Sequence, residues 1–335
     1  MALVTVLKTL PMPARSALDA ARRQLLLASL AAGLPLASRG VWAADPEKLR
    51  IGFQKSSTLM IYLKSRGTLE TALAPLGVSV QWYEFTSGLP LLEALNVGAI
   101  DVTADVADAV PPFALAAGAK LTYYAIETPS PQAQAIVVPK ASPITSVARL
   151  KGQKIAFAKG AGAHYLLLEA LTRQGLSIKD IEPAYLTPAD ARAAFENGSV
   201  GAWVIWDPFL AAVQRQSEAR ILVDGDKLSS YRRFYLAATP YAQRRGDVLK
   251  RVYDELRAAG EWFKKNPQAA AEWNAPILGL DAATVEAANL RRSYRVQPLD
   301  AEALSEQQRI ADAFNKAQIL PKSVTIADSP VWRPA

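Results

Sequence analysis

A regular alternation of short apolar segments with amphipathic ones, which begins at residue 48, constrains the fold more than any other feature of this chain. Residues 78–85 alternate polar and apolar side chains as a half-buried strand does, and Gly77 and Gly118 each end a helical segment just before a strand. Strands that alternate with helices form a mostly parallel sheet with helices on both faces. We predict strands at 49–53, 78–85, 100–103 and 121–126 and helices at 59–76, 90–96 and 105–117.

The same pattern starts again at residue 135 and gives way to helices alone after Arg232. Thr187-Pro188 is typical of a helix start, because threonine caps a helix and proline fits its first turn. The chain is therefore expected to be an α/β protein with two sheet-forming units. In the second unit we predict strands at 135–139, 154–158, 181–186, 202–206 and 219–223, a helix at 164–174, and C-terminal helices at 248–265, 267–278, 282–290 and 301–317.

The order of these units predicts two lobes joined by a hinge. If the C-terminal helices return to cover the first unit, the chain crosses between lobes twice, near 127–131 and near 224–232. Two crossings form a hinge, and the ligand cleft then lies between the lobes. We expect residues 48–127 with 232–320 to form the first lobe and residues 128–231 to form the second.

The N-terminus has the three-part pattern of a secretory signal peptide. Arg15, Arg22 and Arg23 precede an uncharged apolar run at 25–36, and small residues follow up to Ala44. The run is too short for a membrane-spanning helix, which needs about 20 apolar residues. We assign residues 1–43 to the signal peptide. The adjacent arginines leave the twin-arginine route open beside the general secretory (Sec) route.

Composition excludes several classes of function. The chain has a net charge of +7, of which residues 1–43 contribute +4 from five basic residues and one acidic residue, so the remainder is too mildly basic to indicate nucleic-acid binding. The absence of cysteine excludes disulfides, thiol catalysis, cysteine-bound metal and a lipid-modified cysteine. The single histidine cannot form a multi-histidine metal site, and neither a Gly-x-Ser-x-Gly elbow nor a Walker A loop is present. We expect no catalytic residues, no metal and no cofactor, and we expect the protein to reside in the periplasm.

Three strand-to-helix turns, at 54–58, 86–90 and 159–164, are rich in small and hydroxyl residues. A helix N-terminus offers unpaired N–H groups and a partial positive charge, which suit a tetrahedral oxyanion. The alternative is that these residues are ordinary helix caps and turn glycines. The candidate ligand-binding residues in the turns are Gln54, Lys55, Ser56, Ser57, Thr86, Ser87, Gly88, Gly160, Ala161, Gly162 and His164.

Two further candidates lie at the end of the strand at 202–206. Trp206 is placed to form an apolar cleft wall for an organic tail, or belongs to the core. Asp207 is placed to cap the helix that Pro208 begins. At the first crossing, Glu127 either contacts an amine of the ligand or is a solvated hinge residue.

The chain resembles the periplasmic aliphatic-sulfonate-binding proteins of ATP-driven importers, within the sulfonate, taurine and nitrate group of binding proteins. The resemblance covers most of residues 48–320. It implies a two-lobed periplasmic-binding-protein fold of type II that closes on a sulfonate head group held by the three turns. It also adds Asp108 and Tyr165 to the candidate ligand-binding residues. The matching segments are 50–56, 91–101, 159–164, 185–195 and 202–208.

The resemblance implies a substrate-binding component that hands an organosulfonate to a membrane permease and its ATPase subunits. We expect it to act as a monomer, without nucleic-acid partners and without catalysis. Taurine, nitrate and aromatic sulfonates are alternative ligands for the same fold. A sensory module is another alternative, and a more distant one is an enzyme like those that make the thiamin pyrimidine. Such enzymes need a cysteine-rich motif that this chain lacks.

Overall fold

The computed structural model describes residues 47–334, so the predicted signal peptide at 1–43 lies outside the described residues. Two sheets form the frame of this region. The first sheet has the strand order β12-β5-β11-β3-β1-β2, with β4 beside β11, and the second has the order β10-β6-β9-β7-β8. The strands are β1 (Glu47–Gln54), β2 (Val78–Phe85), β3 (Val102–Thr103), β4 (Val106–Ala107), β5 (Leu121–Glu127), β6 (Gln134–Val138), β7 (Lys154–Phe157), β8 (Glu182–Tyr185), β9 (Ala202–Trp206), β10 (Arg220–Asp224), β11 (Arg233–Ala238) and β12 (Val296–Gln297).

The first sheet combines a parallel part with an antiparallel part. β1 pairs in parallel with β2 along its whole length and with β3 on its other side. β11 runs antiparallel between β3 and β5, and β12 continues the sheet antiparallel to β5. The predicted mostly parallel arrangement thus applies to β1, β2 and β3. The sequence pattern did not indicate β11, because no strand is predicted after Arg232.

The second sheet repeats this mixture on a smaller scale. β7 pairs in parallel with β8 and β9, and β6 runs antiparallel between β9 and β10. The residues of β6 and β9 are buried on both faces. They therefore form the centre of the second core, in which Trp203 is the largest fully buried side chain.

Helices cover both sheets and follow the strands closely. The long helix α9 packs against α1 and α2, the two helices that follow β1. Tyr62 of α1 stacks on Trp262 of α9 at 4.8 Å between ring centroids. The helices are α1 (Thr58–Arg66), α2 (Thr68–Leu73), α3 (Gly88–Asn96), α4 (Val110–Ala116), α5 (Gly162–Thr172), α6 (Pro188–Glu196), α7 (Phe209–Gln216), α8 (Thr239–Arg244), α9 (Gly246–Lys265), α10 (Pro267–Leu278), α11 (Ala282–Arg291) and α12 (Ala301–Lys316).

Two predicted helices differ from the observed ones for backbone reasons. The segment 59–76 breaks at Gly67, whose φ of 62° is left-handed and ends α1. The segment 105–117 becomes helical only at Val110, and it begins with Pro111 and Pro112 in its first turn. Proline fits the first turn of a helix but interrupts its interior, so a helix that began at 105 would be broken at Pro111, and residues 106–107 form the short strand β4 instead.

The chain passes between the two sheets at 128–133 and at 225–232, and the two crossing segments are hydrogen-bonded to each other. The Ser130 N–H donates to the Ser230 carbonyl at 2.9 Å, and the Gly225 N–H donates to the Pro131 carbonyl at 3.1 Å. The crossings therefore form a paired connection. Within residues 47–334, no helix is both long enough and apolar enough to cross a membrane.

Candidate functional site

Three helices begin at the cleft between the two sheets without side-chain caps. α1, α3 and α5 start at the carboxyl ends of β1, β2 and β7, and their N-cap residues Ser57, Ser87 and Ala161 make no side-chain capping hydrogen bond in the described part of the chain. Ser57 Oγ instead accepts the Gln54 N–H at 3.1 Å. α6 differs, because Thr187 Oγ1 accepts the N–H of Asp190. The uncapped N-termini leave N–H groups and positive dipole ends available to an anion.

A narrow pocket of about 20 Å³ lies where these N-termini meet. It is lined by residues of both sheets' turns and by the second crossing segment. A space of this size admits about one water molecule, so a head group can enter only when the two halves of the cleft separate. The lining residues are Gln54, Ser56, Gly88, Asp105, Ala107, Val110, Ala161, Gly162, Trp206, Tyr231 and Arg233.

A larger chamber of about 380 Å³ opens from the narrow pocket toward solvent. The two cavities share Gln54, Ser56 and Trp206, which therefore mark their junction. Trp206 meets Phe209 edge to face at 6.2 Å between centroids, so one wall of the chamber is aromatic. The chamber is lined by Gln54, Lys55, Ser56, Glu84, Phe85, Thr86, Thr187, Pro188, Ala189, Trp206 and Phe209.

Arg233, the first residue of β11, supplies a buried cation to the narrow pocket. Its side chain is 4% exposed, and its Nε lies 3.2 Å from Asp105 Oδ2. The Nη1 group is buried and has no hydrogen-bond partner among residues 47–334. An unpaired buried donor costs about 1–3 kcal/mol, so this N–H is prepared to bind an anion that enters the pocket.

Arg292 ties the site to the C-terminal helices. Its Nη1 donates to the Ser56 carbonyl at 3.0 Å, and its Nε donates to Glu127 Oε2 at 2.8 Å. Burial alone would raise the pKa of Glu127, but the Arg292 guanidinium outweighs burial and lowers it. Glu127 is fully buried, so it is not the solvated hinge residue that was one of the two expectations. Arg292 thus holds the first turn in place from a position 236 residues away in the chain.

Tyr231 fills the space between the two sheets. It has a φ of 49°, which is rare for a bulky residue, and its ring lies 4.7 Å from the Arg233 guanidinium carbon. A Cβ added to Gly162 would lie 2.6 Å from the Tyr231 ring and 3.2 Å from the Ala107 side chain. A left-handed backbone at such a residue costs on the order of 1–3 kcal/mol and occurs mainly at functional sites.

Asp207 contacts the opposite side of the cleft. Its Oδ1 accepts the Ala211 N–H at 3.0 Å, which caps α7, and it lies 3.1 Å from Arg291 Nη1 of α11. Burial raises the pKa of Asp207 to about 7, against the opposing effect of Arg291. Arg291 also donates to Gln214 at 2.6 Å. The pair of contacts joins the C-terminal helices to the second sheet's α7.

Three other candidates have contacts away from the two cavities. His164 Nδ1 accepts the Gly160 N–H at 3.2 Å and stabilises the third turn, while burial lowers the pKa of His164 to about 4. Asp108 accepts the Arg232 N–H at 3.0 Å, and burial raises the pKa of Asp108 to about 7. Tyr165 lines a separate cavity beside α12.

The structure brings many of the candidate residues to the cavities and places others nearby. Ser57, Ser87 and Gly160 adjoin lining residues in the chain, and Asp108, His164, Tyr165 and Asp207 make the other contacts described above. Sequence reasoning missed Asp105, Tyr231 and Arg233. The signal for Arg233 was available, because an anion site needs a cation and Arg232-Arg233 ends the predicted second crossing. The candidates that line the two cavities are Gln54, Lys55, Ser56, Thr86, Gly88, Ala161, Gly162 and Trp206.

Two sheets, a paired connection and a cleft surrounded by helix N-termini define a solute-binding protein with the periplasmic-binding-protein fold. The family model NMT1/THI5 like matches residues 74–270. The structure is similar to the alkanesulfonate-binding protein SsuA from Xanthomonas axonopodis pv. citri bound to MOPS, with a TM-score of 0.82 and 41% identity over 87% of this chain and 99% of that one. It is also similar to the periplasmic aliphatic sulphonate binding protein SsuA from Escherichia coli, with a TM-score of 0.77 and 42% identity over 86% of this chain and 98% of that one.

An aliphatic sulfonates-binding protein of Escherichia coli (strain K12) is 41% identical to this chain over 314 residues, which make up 93% of this chain and 97% of that protein. The chain therefore belongs to the aliphatic-sulfonate-binding protein family, and the resemblance found in its sequence is confirmed.

Proposed function

We propose that this protein is the substrate-binding component of an ATP-driven importer and that it captures aliphatic sulfonates in the periplasm. It binds its ligand without catalysis and delivers it to a membrane permease that ATPase subunits drive. The proposal draws on the family of the chain and on the chemistry of the cleft.

The junction of the two cavities is the observation that carries the proposal. A sulfonate has a tetrahedral head with one fixed negative charge and a carbon tail. In the narrow pocket, the head would meet the uncapped N-termini of α1, α3 and α5 and the free Nη1 of Arg233. The tail would extend into the larger chamber along Trp206 and Phe209. This arrangement favours an anion with an apolar substituent over a bare inorganic ion.

We also propose an assignment of lobes, which the hydrogen-bonded pairing of the two crossing segments supports. Residues 48–127 with 232–320 form the first lobe, residues 128–231 form the second, and the paired segments at 128–133 and 225–232 act as the hinge. Residues 1–43 direct export by the Sec or twin-arginine route, and the mature protein works as a monomer.

Isothermal titration calorimetry of the mature protein tests the proposal. The panel contains methanesulfonate, 1-butanesulfonate, an aromatic sulfonate, taurine, sulfate and nitrate. We expect micromolar affinity for 1-butanesulfonate and weaker binding of taurine, because the aromatic wall of the chamber stabilises a carbon tail and not an ammonium group that needs hydration. The proposal would be refuted if none of the sulfonates binds with micromolar affinity. Tighter binding of taurine or nitrate than of any alkanesulfonate would reassign the ligand.

A further inference from the structure

We propose that Asp105 makes the narrow pocket selective for head groups with a single negative charge. The inference rests on the proposed function, because it assumes that the sulfonate head binds at this pocket. On this proposal, one buried carboxylate makes the protein prefer sulfonates over doubly charged ions such as sulfate.

The position of Asp105 is the first step. It lies between β3 and β4, lines the narrow pocket and is 3% exposed. Its Oδ2 lies 3.2 Å from Arg233 Nε and 3.2 Å from Arg292 Nη2. Its Oδ1 is buried and accepts no hydrogen bond from any described residue. The carboxylate therefore shares the pocket with the donor that an anion would use.

The charge balance around the pocket is the second step. The buried cations Arg233 and Arg292 are matched by the buried carboxylates Asp105 and Glu127. The pocket thus offers dipoles and one free guanidinium N–H but no excess positive charge. A monoanion is stabilised by these donors, whereas the second charge of a dianion is repelled by Asp105 and meets no further cation among the described residues that line the narrow pocket.

The ionisation of Asp105 follows from its neighbours. Burial, together with the Glu127 carboxylate, raises the pKa of Asp105 above its ordinary value, against the opposing effect of the Arg292 and Arg233 guanidiniums. Tyr124 and Tyr235 also pack around this network, and burial holds the pKa of each phenol well above its ordinary value, so both stay neutral. The Oδ2 of Asp105 lies 3.2 Å from both guanidiniums, and this double contact favours the carboxylate form on which the selectivity depends.

The expected effect can be worked from Coulomb's law. A unit charge about 6 Å from a carboxylate changes affinity by about 100-fold at an effective dielectric constant of about 20. Neutralising Asp105 therefore raises the affinity for a monoanion by one such factor and for a dianion by its square. The ratio of sulfate to sulfonate affinity should rise by about 100-fold, and a rise below tenfold does not fit this mechanism.

The test compares methanesulfonate with sulfate, two tetrahedral ions of similar size and different charge. Calorimetric titrations use the wild-type protein, Asp105→Asn and the control Glu93→Gln. The control removes the same charge from an exposed position on α3. We expect the wild type and the control to bind methanesulfonate much more tightly than sulfate, and Asp105→Asn to lose most of that preference. Circular dichroism checks folding, and Asp105→Ser provides a second neutral variant if the first does not fold.

The possible failures are distinguishable. If the wild type binds no sulfonate, including 1-butanesulfonate, the proposed function fails. If the wild type binds sulfonate and sulfate equally, the selectivity inference is overturned whatever the variants do. If the wild type discriminates and both folded neutral variants keep the wild-type ratio, Asp105 is not the cause.

Discussion

A methyl group at position 162 should weaken ligand binding by distorting the narrow pocket where Tyr231 lines it. Gly162 begins α5, where its backbone faces Tyr231 on one side and Ala107 on the other. The added Cβ would lie 2.6 Å from Tyr231 Cε2 and 2.9 Å from Cδ2. Carbon atoms at optimal contact are about 3.5–4.0 Å apart, so about 1 Å must be gained somewhere.

The Tyr231 ring cannot easily move to supply that space. It is 4% exposed, and it is held over the Arg233 guanidinium from a left-handed backbone. Overpacking of this kind costs about 1–3 kcal/mol in a closed structure. Gly162 and Tyr231 both belong to the proposed second lobe, so separation of the lobes relieves only the 3.2 Å contact with Ala107, and the overpacking persists in the open state. A penalty of about 2 kcal/mol on the bound state corresponds to about 30-fold weaker binding.

Calorimetry with 1-butanesulfonate measures this loss, and thermal unfolding measures the stability of the variant. Overpacking costs about 1–3 kcal/mol and exceeds the gain of about 1 kcal/mol from alanine as a helix former, so the melting temperature of Gly162→Ala without ligand should also fall. Gly246→Ala is the matched control, since it also begins a helix and its Cβ would meet only Trp332, at 3.4 Å. Affinity of Gly162→Ala within threefold of the wild type would refute a role of this contact in the shape of the pocket.

Three further predictions concern the tail, the third turn and the contact across the cleft. Trp206→Ala should weaken 1-butanesulfonate binding about tenfold more than methanesulfonate binding, because each buried CH₂ contributes about 0.8 kcal/mol. His164 should cost the wild type about 2 kcal/mol of folding stability as the pH falls from 7 to 5, because its folded pKa, about 4, lies below its unfolded value of about 6.5. The His164→Gln variant should not show this loss. Arg291→Gln should weaken sulfonate binding about tenfold at pH 8 and less at pH 6, because the pKa of Asp207 is already about 7 and a protonated Asp207 needs no cationic partner.

Each of these has a measurement that can contradict it. Equal losses for both ligands, by calorimetry, would remove Trp206 from the tail wall. Urea unfolding gives the histidine result as a difference between wild type and variant. Stability attributable to His164 is present above the unfolded pKa and is lost as pH falls toward the folded pKa, so a difference of the opposite sign would be inconsistent with a neutral buried imidazole. An affinity loss for Arg291→Gln that is larger at pH 6 than at pH 8 would exclude the proposed role of Asp207.

The local sequence pattern predicted most helices and strands. It failed where pairing with a strand far away in the chain determines whether a segment forms a strand. β2 and β9 have the predicted bounds, because alternation and apolar runs are local signals. β11 was missed because a short strand within a chain segment of helices is stabilised by β3 and β5, its distant partners. Pro111-Pro112 carried a usable signal that the helix at 105–117 starts late.

The part of the candidate site that is formed by main-chain N–H groups was predictable from the sequence. Turns after strands and before helices indicate available N–H groups, so the three turns could be chosen as candidates from the sequence alone. Arg233, Asp105 and Tyr231 come together only when the second crossing folds across the end of the first sheet. Their roles depend on burial and charge pairing between segments more than 100 residues apart, which no local pattern records.

Main-chain N–H groups form part of the narrow pocket, and this affects how the ligand specificity of the protein can evolve. N–H groups of α1, α3 and α5 remain donors whichever side chains the turns carry, so substitution at Thr86 or Ser87 leaves that chemistry in place. The walls of the outer chamber are side chains, and each can be exchanged separately. Ligand preference can therefore change by mutation, or by laboratory selection from libraries at Phe209 and Pro188, while the main-chain donors for the charged head group are retained.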